Sequence, residues 1–162
     1  ALPANQDVLL EGVQGNTMEI VAEINPTDAP MVAMDVLRSP DGEERTRIAF
    51  YRERGYRNRG HRSGTTLSQI SIDTSCASIL PDARSRAPET ASVLIDPEEP
   101  LKLRVFVDRS VVEVFVNGRQ CLAVRVYPGR EDSIGVSLRS QGRDGCLKSL
   151  DAWRMESIYS QP

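Results

Sequence analysis

The segment from Leu101 to Pro128, LKLRVFVDRSVVEVFVNGRQCLAVRVYP, constrains this chain more than any other stretch. Leu101, Leu103, Val105 and Val107 alternate with Lys102, Arg104, Phe106 and Asp108, the period of two that a pleated strand imposes. Two further apolar runs follow after short polar breaks, so the pattern predicts three consecutive antiparallel strands. Pairing Val107 with Val112 gathers Leu103, Val105, Val107, Val112, Val114 and Val116 on one face, whereas a one-residue slip would scatter them. That register stacks Phe106 against Glu113 and Arg104 against Phe115 on the opposite face, with Arg104 and Glu113 as diagonal neighbours. Asn117-Gly118 tolerates the positive φ that both central residues of a type I′ turn need, which predicts a two-residue loop pairing Val116 with Arg119. Leu122 then falls opposite Glu113.

Strand patterns recur outside this segment. Met18, Ile20, Ala22 and Ile24 alternate with Glu19, Val21 and Glu23; Val32, Met34 and Val36 form another run; Thr46, Ile48 and Phe50 resume after the turn residues Pro40-Asp41-Gly42. Ile134, Val136 and Leu138 make a further run, and a last strand around Leu147 to Ser157 shifts phase near Leu150, which reads as a bulge. From Ser75 to Pro100 four prolines break the pattern, so loops and short edge strands are expected there, with at most one short helix. The expectation is an all-β protein, an antiparallel two-sheet β-sandwich of the jelly-roll, concanavalin-like kind, in a single domain over residues 1–162. A chain of this length buries roughly 70% of its unfolded surface, enough for a core without covalent staples.

Composition narrows the functions. A net charge of -3 offers no general attraction to nucleic acid or to an anionic membrane, and no apolar run reaches the roughly 18 residues of a membrane span. The stretch Glu43 to Gly64 carries seven arginines with Tyr51 and Tyr56 and resembles an RNA-contacting loop. Arg45 and Arg47 nevertheless fall on the outer face of a good strand, which favours a solvated strand edge or pairing with carboxylates of a neighbouring domain. His61 is the only histidine, which excludes any cluster needing two imidazoles, and no metal or cofactor is expected. Cys76, Cys121 and Cys146 are too few and too widely spaced for a disulfide framework and read as buried or half-buried thiols. Asp108 and Glu113 share a face across the Arg109-Ser110 turn, but Glu113 has Arg104 to satisfy it and Asp108 suits a turn former, so no catalytic pair is expected. The first residues lack the basic start of a signal peptide; the chain reads as an excised piece whose compartment is open.

DRSVVEVFVNG, followed by RVYP and later by LKSLDAWRM, resembles the C-terminal β-sandwich module of glycoside hydrolase family 32, the invertases, levanases, inulinases and other β-fructosidases. The resemblance runs loosely from Met18 to Tyr159 and is specific in 101–128 and 147–159. It implies a non-catalytic module that supports an N-terminal five-bladed catalytic propeller of the same parent chain, with homodimer contacts as a further role. The family's W-x-N-D-P-N-G, R-D-P and E-C motifs do not occur here: Arg143-Asp144 precedes Gly145, Asp96-Pro97 precedes Glu98, and no Glu precedes a Cys. No catalytic residue is carried over. The alternative is a module with its own site for fructan or sucrose, using Trp153 and Tyr127. Core packing for Trp153 and strand-end packing for Tyr127 are the plainer readings. Because both faces of the hairpin carry large apolar groups, Arg104, Phe106, Glu113, Phe115 and Leu122 are candidates for an interdomain or dimer interface, unless loops from the Pro-rich stretch cover them.

Overall fold

The computed structural model describes residues 1–25, 28–54, 67–84 and 86–156. Among them are eleven strands: β1 (Asp7–Gln14), β2 (Thr17–Ile24), β3 (Met31–Arg38), β4 (Thr46–Tyr51), β5 (Ser68–Asp73), β6 (Glu89–Val93), β7 (Leu101–Asp108), β8 (Val111–Val116), β9 (Gln120–Arg125), β10 (Gly135–Gln141) and β11 (Leu147–Arg154). They form a six-stranded sheet in the order β1-β10-β3-β4-β5-β6 and a five-stranded sheet in the order β11-β2-β7-β8-β9. No helix occurs among the described residues. The expected β-sandwich is the architecture observed. Its core joins Ile20, Leu103, Val105 and Val114 of one sheet with Met34, Ile48, Ile70 and Leu138 of the other, all but Leu103 fully inaccessible.

Burial along β2 and β7 alternates as the sequence pattern requires. β6 is the short edge strand expected inside the Pro-rich stretch. β1 and β5 escape the pattern: β1 has a register shift between Leu9 and Gln14, with Gly12 at φ 79°, and β5 buries Ser68 and Ser71 along with Ile70 and Ile72. In β3 a bulge opposite Gly135 and Ser137 puts Leu37 at φ 48° and sends consecutive residues, Val36 and Leu37, into the core. Gly135 is needed there, since an added Cβ would lie 2.9 Å from the Arg38 carbonyl oxygen.

The β7–β8 register is the expected one, with Val107 opposite Val112, Phe106 opposite Glu113 and Arg104 opposite Phe115. The next hairpin is corrected by one residue. Asn117 and Gly118 do take positive φ (48° and 64°), and the Arg119 N–H bonds the Val116 carbonyl (2.9 Å), but in the strand register Val116 stands opposite Gln120 and not Arg119. The Arg119 guanidinium bonds Glu99 Oε2 (2.7 Å) and the Leu94 carbonyl (2.9 Å). In this register Leu122 lies opposite Val114 and Val124 opposite Val112, both on the core face. The irregularity in β11 also falls earlier than expected, between Leu147 and Ser149.

Three loops at one end of the sandwich are tied by Glu44, a fully buried carboxylate. It accepts hydrogen bonds from the Ile79 N–H (2.7 Å), the Gly129 N–H (2.7 Å), the Arg130 N–H (3.1 Å) and the Ser133 hydroxyl (2.5 Å). Burial pushes its pKa up, but these four donors outweigh the desolvation and hold it below the usual carboxylate value. The β3–β4, β5–β6 and β9–β10 connections are thereby fixed to one another.

Candidate functional site

The outer face of the five-stranded sheet is the region whose side chains the fold leaves least occupied. Strand register sets two adjoining rows across it: Trp153, Glu19, Phe106, Glu113 and Ala123 in one, and Asp151, Val21, Arg104, Phe115 and Cys121 in the next. Phe115 is 36% exposed and Trp153 52%. Phe106 is half-buried beneath Arg104, whose guanidinium carbon stands 5.0 Å from the ring centroid, and meets Phe115 edge-on with centroids 6.0 Å apart.

Four of the five interface candidates, Arg104, Phe106, Glu113 and Phe115, lie together here. The fifth, Leu122, is corrected: only 8% exposed, it belongs to the core through the shifted register of β9. Arg104 and Glu113 are diagonal neighbours as expected, but the expected ion pair between them is corrected: Arg104 Nε bonds Glu19 Oε1 at 2.6 Å on the neighbouring strand β2. That strand order was not readable from the hairpin alone. The described residues of the Pro-rich stretch do not cover this face. They close the open edge between the sheets, where Gln120 Nε2 bonds the Ser92 carbonyl (3.0 Å) and Arg52 bonds the carbonyls of Asp96 and Pro97.

Trp153 and Tyr127 are corrected from packing residues to surface ones. Trp153 sits on the edge strand β11, and Tyr127, 51% exposed, stands just beyond β9 at the rim of a groove against the β5–β6 connection. Cys121 and Cys146 are exposed as well, and only Cys76 is half-buried, as all three were expected to be. Of the arginine-rich stretch, Arg47 binds Asp35 of this same chain through two hydrogen bonds of 2.8 Å, which raises its pKa against the opposing effect of burial. Arg45 bonds the Gly42 carbonyl at 2.6 Å. Tyr56, Arg57, Arg59, His61 and Arg62 lie outside the described residues. Sequence reading missed Glu44 altogether, since nothing near it in EER distinguishes it from a solvated charge.

The fold is an antiparallel two-sheet sandwich with one partly apolar, aromatic outer face. The match to known families is specific: residues 2–154 fit the model of the glycosyl hydrolases family 32 C-terminal domain, and the chain belongs to that family. It is 32% identical over 132 residues to β-fructofuranosidase 1 from Zea mays, covering 78% of this chain and 19% of that protein. It is 37% identical over 128 residues to an insoluble-isoenzyme β-fructofuranosidase from Arabidopsis thaliana, covering 75% and 21%. The solved structure of fructan 1-exohydrolase IIa from Cichorium intybus superposes with a TM-score of 0.80 at 17% identity over 96% of this chain and 34% of that one. The chain therefore spans about a fifth of the length of these curated relatives. In the family such a module normally sits beside an N-terminal catalytic propeller of the same chain.

Proposed function

We propose that residues 1–162 form one non-catalytic β-sandwich domain of a parent β-fructosidase acting on sucrose or fructans. We place its contact with the catalytic propeller, or with a second copy, on the outer face of the five-stranded sheet. The observation that carries the reading is the exposure of Phe115 and Trp153 beside Phe106, with no described segment of the chain lying over them. Arg104 and Glu113 are the polar members of this surface.

The chain alone should release no fructose from sucrose, levan or inulin, because both carboxylates of the family's mechanism belong to the propeller motifs it lacks. Turnover that survives repurification and is lost in Glu113→Gln would overturn this assignment. The sequence encoded before Ala1 should carry the three acidic motifs. Sedimentation of the chain separates the two occupants of the face: a dimer burying about 1,000 Å² or more there favours the second copy.

A second reading, contact with glycan through Trp153 and Tyr127, draws support from the 52% and 51% exposure of these rings.

A further inference from the structure

A groove of about 460 Å³ runs between the β5–β6 connection and the end of β9. Its size lies within the ~300–1,000 Å³ range of small-molecule sites. The floor is apolar, from Ile72, Ala77 and Val126, all buried. The rim carries Arg84, Arg86 and Arg125, the carboxylates Asp82 and Glu89, and the exposed ring of Tyr127. None of these five charged side chains makes a hydrogen bond or ion pair with another described residue, although they line one groove.

The segments that carry the two walls are tied to each other beside the groove. Glu44 accepts from the Ile79 N–H of one wall and the Gly129 N–H beyond the other, both at 2.7 Å. The walls also meet closely, since a Cβ on Gly129 would lie 2.9 Å from Ile79 Cγ1 and 3.0 Å from Leu80 Cγ.

The occupant must suit donors and acceptors held apart from one another. An anion would meet Asp82 and Glu89, and a cation would meet three arginines. A neutral polyhydroxylated ligand can accept from the guanidiniums and donate to the carboxylates at once, while its C–H face lies on Tyr127. We propose that this groove binds a neutral oligosaccharide, of fructan type in the parent protein, at a site separate from the five-stranded sheet face. The proposal rests on the glycan reading above and assigns it to the groove.

Amide NMR of the isotopically labelled chain, titrated with short inulin-type and levan-type oligosaccharides, tests it. Saturable shifts are expected at residues 74–78, 86–87 and 123–127. Arg125→Ala and Tyr127→Ala should each weaken binding by roughly tenfold, and Trp153→Ala should leave it unchanged. Shifts confined to the surroundings of Glu19, Phe106 and Trp153 would overturn the groove while leaving the glycan reading intact. No shift anywhere up to about 10 mM would remove both. Groove shifts that appear only with a sugar phosphate or sulfate would make it an anion site and overturn the neutral assignment.

Discussion

The outer faces of the two sheets are built on opposite terms. On the six-stranded sheet, Asp35 is 2% exposed and held by both arms of Arg47, Arg139 pairs with Asp7 at 3.0 Å, and Ala33 and Ala49 are shaded by these longer neighbours. On the five-stranded sheet, Phe106 and Phe115 have each other and Arg104 but, among the described residues, no covering layer, and Trp153 on the edge strand is 52% exposed. The first face places its buried charges inside networks completed by this chain. The second leaves apolar area in water that another body could cover. Sheet faces of one sandwich therefore need not share a role, and the one with unfinished packing is where we propose that a partner docks.

If that contrast is right, substitutions on the self-contained side should destabilise the chain, and substitutions on the aromatic side should not. The largest loss is expected at Glu44, which lies at the end of the sandwich and on neither face but is likewise satisfied wholly within this chain: Glu44→Ala strands three backbone N–H groups and a hydroxyl and should cost about 3–5 kcal/mol in chemical denaturation. The same residue sets an acid limit. Its pKa is lower folded than unfolded, so its contribution is complete above the ordinary value of 4.5 and is lost as pH falls through the depressed folded value. The Tm of the wild type should fall over that acid range, and the Tm of Glu44→Gln should start lower and fall less.

Asp35→Ala, which leaves the half-buried Arg47 guanidinium with only Asp7 at 4.0 Å, should cost about 3 kcal/mol. A loss below about 1 kcal/mol would mean that this face is less self-contained than its geometry suggests. Smallest of all, Trp153→Ala should change the stability of the chain by no more than about 0.5 kcal/mol, as for other surface positions. A larger loss would return Trp153 to the role of a packing residue and narrow the candidate interface.

The β7–β8 hairpin was legible because a binary pattern of six aliphatic residues admits only one register. The β8–β9 hairpin was not, since Asn117-Gly118 fixes the turn but not whether a third residue joins the loop, and Val116 stands opposite Gln120. Leu122 changed faces as a result. Trp153 was misplaced because an edge position is a property of sheet order, and the strand that carries it reads locally like any other. Glu44 left no local trace, as its donors come from loops 35, 85, 86 and 89 residues along the chain. Arg104 and Phe106 were placed on the correct face, while the carboxylate that Arg104 binds came from β2, which the hairpin pattern does not mention.

The central claim is that the aromatic face is covered in the parent protein. Hydroxyl-radical footprinting of this chain and of the longer protein that carries it, read at Phe106, Phe115 and Trp153, tests it most directly. Leu9, 53% exposed on the opposite sheet, serves as the internal reference. The account predicts that Phe115 and Trp153 are modified several-fold more slowly in the longer protein while Leu9 keeps its rate. Equal rates at Phe115 and Trp153 in the two proteins would contradict it.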